Sequence, residues 1–233
     1  IPVGKQNRTT YEQAVNEANG KIKKQSDKGY RYSKAELQNL PTLALLAGDY
    51  RKISHRIDYT LGVDTSFKMD GVRCVAKCTS IGVVTLESRT GQPYFLPHIT
   101  AELAWYMNEG EEWDGEIYKH GCMLQDITSA VKRTDTQKEI DICQRKVDNA
   151  VGDEDIQEAY SALGNAKSIH ELRPQLEFVM FDVISDEPWF TRKEDLKTAS
   201  MRMRLNQHVR VLEYVTVYSE EEMKEQHRAA VMA

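Results

Sequence analysis

Five short β-prone segments alternate with helix-prone stretches between residues 67 and 218, and this alternation narrows the folds open to the chain. The β-prone segments are 67–78, 82–88, 113–119, 176–184 and 211–218. Each is rich in Val, Ile, Thr or aromatic residues. The turn Thr90-Gly91-Gln92-Pro93 separates two of the β-prone parts. A helix is expected from Thr100 through Met107, ended by Gly110. Residues 134–163 are polar and helix-prone, with Ile140, Cys143, Val147 and Val151 at i, i+3, i+7 and i+11. A further helix is expected over 192–209, and Ser219-x-x-Glu222 caps a last one. The pattern predicts an α+β fold, an antiparallel or mixed sheet flanked by helices.

The N-terminal part has a different character. Thr10-x-x-Gln13 reads as a capping box, followed by Val15, Ala18 and Ile22 at helical spacing, so residues 11–28 are expected to be a helix that Gly29 stops. Residues 33–61 read as a second short helix and an irregular link around Pro41 and Gly48. Charge is uneven: residues 1–80 hold 14 Lys/Arg against 8 Asp/Glu, whereas the remainder holds 17 against 28. The overall net charge of −5 therefore averages a cationic segment with an acidic one. The cations at 21, 23, 24, 28, 31 and 34 suit either a solvated helix face or contact with phosphates.

Other function classes fall away. The longest apolar runs, such as Leu43–Ala47, fall far short of the ~20 residues that span a bilayer. Ile1-Pro2-Val3-Gly4-Lys5 has no apolar core of a signal peptide. Four scattered cysteines make no disulfide scaffold, so a reducing, cytoplasmic setting is expected, the host cytoplasm for a viral protein. Cys74-x-x-x-Cys78 is too wide for a zinc knuckle and puts both sulfurs on one side of a strand, a structural arrangement. The six histidines show no ligand spacing, and there is no P-loop or dinucleotide fingerprint.

The sharpest chemistry lies in Lys68-Met69-Asp70-Gly71-Val72-Arg73. Gly71 permits a tight turn and a close approach. A lysine becomes a nucleophile where burial or a nearby cation favours its neutral amine, and an arginine five residues on can hold a phosphate. Ser88-Arg89-Thr90-Gly91, Trp113-Asp114-Gly115-Glu116 and Phe178-Val179-Met180-Phe181-Asp182 follow in order.

Together these segments resemble the covalent nucleotidyltransferases, most closely the ATP-dependent DNA ligases of phage and archaeal–eukaryal type. In that family K-x-D-G-x-R, S-R-x-G, D-G-E and an aromatic F-D strand occur in the same order, and Leu40-Pro41-Thr42-Leu43-Ala44 is similar to the P-x-L-A segment before the lysine. The resemblance covers residues 40–233. It implies a nucleotidyltransferase (ATP-grasp-like) adenylation domain over 36–233 behind a basic helical extension over 1–35. It also implies a three-step reaction on nicked duplex DNA: Lys68 takes AMP from ATP, the AMP passes to the 5′-phosphate, and the 3′-hydroxyl displaces it. Mg²⁺ is the implied metal ion.

By the same resemblance Lys68 is the nucleophile and Arg73 contacts the ribose or the 5′-phosphate end of the nick. Glu116 binds the ribose 2′-hydroxyl or the metal. Phe181 stacks on adenine, with Phe178 as its competitor. Arg89 grips a DNA phosphate with help from Ser88, and Ser129 and Lys132 are further candidates for DNA contact. Asp70 orders the turn.

The chain departs from the family in lacking, after Phe181, an E-G segment and a K-x-K pair. The expectation is a monomeric chain truncated before the last two motifs and the OB-fold clamp, with the remainder on another segment or chain. The Glu116–Phe181 interval is long for the family, so residues 134–165 read as an insertion. Two other readings compete: an mRNA-capping guanylyltransferase that uses GTP, and a non-catalytic nucleic-acid-binding fragment. Ser88-Arg89-Thr90-Gly91 and Pro41-Thr42-Leu43-Ala44 favour ligase over the first, and Arg73 disfavours an NAD⁺-dependent ligase.

Overall fold

The computed structural model describes residues 9–27, 30, 32–33, 48–203 and 206–232. The P-x-L-A-like segment at 40–44 lies outside them apart from its sequence. The chain divides into two compact units, Ile1–Leu43 with Arg89–Gln92, and Ala44–Ser88 with Pro93–Ala233.

In the first unit α1 runs over Thr10–Asp27. Its capping box is Thr9/Glu12, one residue earlier than Thr10/Gln13. Glu12 N donates to Thr9 Oγ1 at 3.2 Å and Thr9 N donates to Glu12 Oε2 at 2.7 Å. Gln13 instead turns outward to Glu17, 3.0 Å away.

In the second unit a six-stranded sheet has the order β4-β3-β2-β5-β6-β7. Its strands are β2 (Val72–Ser80), β3 (Val83–Glu87), β4 (Pro93–Tyr94), β5 (Glu112–Tyr118), β6 (Glu177–Val183) and β7 (Val209–Val211). All pairings are antiparallel except β6 with β7, so the sheet is mixed. A separate ribbon pairs β1 (Val63–Thr65) with β8 (Val215–Val217). The β-prone segment 67–78 becomes a strand only from Val72, so Lys68 lies in the loop between β1 and β2. The expected strand 211–218 is interrupted, with β7 joining the large sheet and β8 the ribbon.

The helices of this unit are α2 (Tyr50–Ile53), α3 (Pro97–Leu103), α4 (Leu124–Lys132), α5 (Thr136–Asp148), α6 (Asp153–Leu172), α7 (Trp189–Arg202) and α8 (Glu220–Met232). Pro97 and Trp189, which follows Pro188, start α3 and α7 earlier than the periodicity suggests, because proline suits a helix start. The helix-prone stretch 134–163 is two helices. Gly152, at φ 95°, breaks it, and Val151 is left 82 % exposed rather than on a buried stripe. At α8 the cap is as expected: Glu222 N donates to Ser219 Oγ at 3.2 Å.

Strand alternation gives the large sheet two unlike faces. On one, Cys74, Ala76, Cys78, Trp113, Ile117, Phe178, Met180 and Val209 are buried. They pack against Ile99 and Leu103 of α3, Ile127, Ala130 and Val131 of α4, Ile169 of α6, and Leu196 and Ala199 of α7. Full burial of each large aliphatic side chain contributes about 1.5–3 kcal/mol, so this face holds the fold. Cys74 and Cys78 are free thiols within it, and burial pushes the Cys74 thiol up out of reach of ionisation. The opposite face carries Arg73, Lys77, Glu116 and Asp114.

Candidate functional site

Register brings the motif residues together. Arg73 on β2 lies directly beside Glu116 on β5, and Glu116 lies beside Val179 on β6. A bulge follows, because Asp114 pairs with Asp182 while Gly115 pairs with Met180. Phe181 is the extra residue, pushed out of the ladder. Its ring lies under the Arg73 guanidinium, 4.7 Å from Arg73 Cζ to the ring centre. Phe178 is fully buried in the core, so the two phenylalanines sit in different surroundings.

Two glycines make this geometry possible. A Cβ on Gly71 would press on the Ile117 carbonyl oxygen and sit 2.7 Å from Glu116 Cγ. A Cβ on Gly115 would sit 2.6 Å from Phe178 Cζ and 2.7 Å from the Val179 carbonyl oxygen. Each is a point of close approach that no other residue allows. At the first, Gly71 N–H donates to Glu116 Oε1 at 3.2 Å, which ties the lysine loop to β5.

Arg73 and Asp114 form a two-pronged ion pair. Arg73 Nε donates to Asp114 Oδ1 at 2.7 Å, and a second bond joins Arg73 Nη2 to Asp114 Oδ2. Burial raises the Asp114 pKa against the pull of Arg73, and the Asp182 charge adds to the rise. Burial likewise raises Glu116, although the Gly71 N–H, Arg73 and Lys68 all favour its ionised form. Asp182 is gripped by Arg192 through Nε at 2.8 Å and Nη2 at 3.1 Å. Tyr214 O–H donates to the Phe181 carbonyl at 2.6 Å and fixes the bulge. Asp114, Tyr214 and Arg192 were not singled out from the sequence. Only Asp114 left a signal, since it is two residues from Glu116 on a strand and must share its face.

Lys68 is exposed and lines a cleft of about 760 Å³ with Asp70, Tyr118, His120, Arg210 and Glu213 among others. Arg73, Glu116 and Phe181 are not among the residues that line it. Among the described residues no three His, Cys, Asp or Glu groups gather to hold a metal ion. Nor is any helix there long and apolar enough to cross a membrane.

The candidates for DNA contact lie on different elements. Ser88 follows β3 and hydrogen-bonds the Tyr94 side chain. Arg89 is exposed and belongs to the first unit. Ser129 and Lys132 lie on α4, whose Ile127, Ala130 and Val131 pack on the core face. Ser129 and Lys132 therefore lie on the side of the sheet opposite Arg73 and Glu116.

No family model and no curated protein matches the sequence. Solved structures do match. One described as "Pmar-Lig_Pre." superposes with a TM-score of 0.56 at 17 % identity, covering 80 % of this chain and 39 % of that one. Another, described as "DNA binding with a minimal scaffold: Structure-function analysis of Lig E DNA ligases", gives 0.53 at 16 % identity, covering 83 % and 59 % respectively. The chain thus spans less than two thirds of either. Identity this low speaks to architecture alone. The helix-backed mixed sheet of this chain is an α+β fold like that of the DNA-ligase adenylation domain.

Proposed function

We propose that the chain carries the lysine-adenylation site of an ATP-dependent DNA ligase. One observation carries the reading: residues from three separated motifs, Arg73, Glu116 and Phe181, meet on one sheet face beside the loop of Lys68. Structural packing alone asks for no such gathering of charged groups.

Lys68 Nζ, once it has lost its proton, attacks the α-phosphorus of ATP. A P–N bond forms and the bond from that phosphorus to the pyrophosphate oxygen breaks. Phe181 offers a flat surface to adenine. Glu116 accepts from the ribose hydroxyl or faces the metal. Its Oε2 makes no further hydrogen bond among the described residues, so it fits as a single protein ligand to Mg²⁺, an ion that keeps much of its water and phosphate coordination. When bound, the ion offsets phosphate charge. Asp114 and Asp182 are engaged by Arg73 and Arg192 and do not fit that role. The AMP then passes to a 5′-phosphate at a nick, where Arg73 meets the strand end, and Ser88, Arg89 and Lys132 are proposed contacts to the DNA backbone.

Incubation with ATP or GTP labelled at the α-phosphate tests this reading. ATP should label the wild-type chain in preference to GTP, and Lys68→Ala should take no label. Preference for GTP, or label on the Lys68→Ala variant, contradicts it.

A further inference from the structure

Residues 21–34 interleave six cations, Lys21, Lys23, Lys24, Lys28, Arg31 and Lys34, with Tyr30 and Tyr32, and hold one acid, Asp27. Where this stretch is described it forms a groove of about 260 Å³. Lys21, Ile22, Gln25 and Ser26 of α1 line it together with Tyr30 and Tyr32. The Tyr30 N–H donates to the Gln25 carbonyl at 3.2 Å, which holds the chain as it leaves the helix. The two tyrosines are 67 % and 79 % exposed, and Ile22 beside them is 46 % exposed. Lys24 is one turn from Lys21 and also exposed. Arg89, exposed as well, belongs to the same compact unit.

Exposed rings beside lysines fit one class of occupant best. An apolar peptide would satisfy the tyrosines and Ile22 but leave the cations unmatched. A nucleic-acid strand satisfies both, since every base has a face that stacks on an aromatic ring and every nucleotide brings a phosphate. A base within a duplex is already stacked on both sides, so the strand must be unpaired.

We infer that this groove binds an unpaired nucleic-acid strand, with bases against Tyr30 and Tyr32 and phosphates against Lys21 and Lys24. That the strand is DNA, as at a gap or a frayed end beside a nick, rests on the proposed ligase function; the groove's chemistry does not.

Fluorescence anisotropy of the whole chain with a labelled oligothymidylate tests the inference. Tyr30→Ala/Tyr32→Ala should weaken binding about tenfold or more with little change in salt dependence. Lys21→Gln/Lys24→Gln should lower the slope of log K against log salt by roughly 1 to 1.5. Both variants should keep wild-type labelling of Lys68 by ATP. Wild-type binding by both variants overturns the inference, as does equally tight binding of a fully paired duplex that the tyrosine variant loses in parallel. Absence of Lys68 labelling in the wild type contradicts the ligase reading and leaves the groove's result standing.

Discussion

The Arg73 guanidinium lies 4.7 Å above the centre of the Phe181 ring while both its prongs engage Asp114. One contact covers a face of the proposed adenine platform, and the other buries a carboxylate that is 4 % exposed. A base therefore stacks on the opposite face of Phe181, or Arg73 moves. Losing one partner of such a pair strands the other, a loss of about 3–5 kcal/mol for buried pairs. Arg73 is 30 % exposed, so the lower end applies. Arg73→Ala should lower the stability measured by urea unfolding by about 3 kcal/mol. Adding Asp114→Asn should restore part of it, because the stranded charge is then gone. No recovery in the double variant would show that the pair does not act as a unit.

If Phe181 is the adenine platform proposed above, Phe178 and Phe181 divide stability from binding. Phe178→Ala opens a cavity in the core and should cost about 3–5 kcal/mol. Phe181→Ala should unfold at nearly the wild-type urea concentration yet weaken ATP binding at least tenfold by calorimetry, as loss of a stacking surface predicts. The reverse pattern would exchange their roles.

Tyr214→Phe deletes one hydroxyl, the one that holds the Phe181 carbonyl. The expected stability loss is about 1 kcal/mol. ATP affinity should fall as well, while Lys68 labelling at saturating ATP changes little. An unchanged affinity would mean that the bulge holds its shape without Tyr214.

Three carboxylates set opposite pH dependences. Burial raises Glu116 and Asp114, so the native chain binds their protons more tightly than the unfolded chain does. Their stabilising contribution is complete below the unfolded-state values and is lost as pH rises through the raised native ones. Asp64 runs the other way. Burial opposes its ionisation, but hydrogen bonds from Lys193, Thr216 and Trp189 outweigh that and hold it low. Its contribution is present above the unfolded value and is lost as pH falls through the native one. Glu116→Gln should therefore raise the melting temperature near pH 8, with a smaller gain near pH 4, where the wild-type carboxyl is already protonating. A gain that grows toward acid would contradict the burial of Glu116.

Much of this site was legible from spacing. Period-two alternation puts Glu116 on the face opposite Ile117, and Asp70-Gly71 marks the turn before β2. The different placement of Phe178 and Phe181 was not legible, because both lie in one apolar run and only the bulge at Asp114/Gly115 decides which ring leaves the ladder. The partners of Asp64 lie more than a hundred residues away, beyond the reach of any local pattern. The break at Gly152 was visible as a glycine but was outweighed by a helical period that ran across it. Thr9 and Thr10 are both capping residues, and only Glu12 settles which one acts.

Peptide mapping by mass spectrometry after incubation with ATP and Mg²⁺ reads which residue of the chain takes AMP. One AMP should appear on the peptide that contains Lys68, as an acid-labile adduct that pyrophosphate removes, and it should be absent from Lys68→Ala. An adduct on any other residue, or one that persists in Lys68→Ala, would contradict Lys68 as the nucleophile.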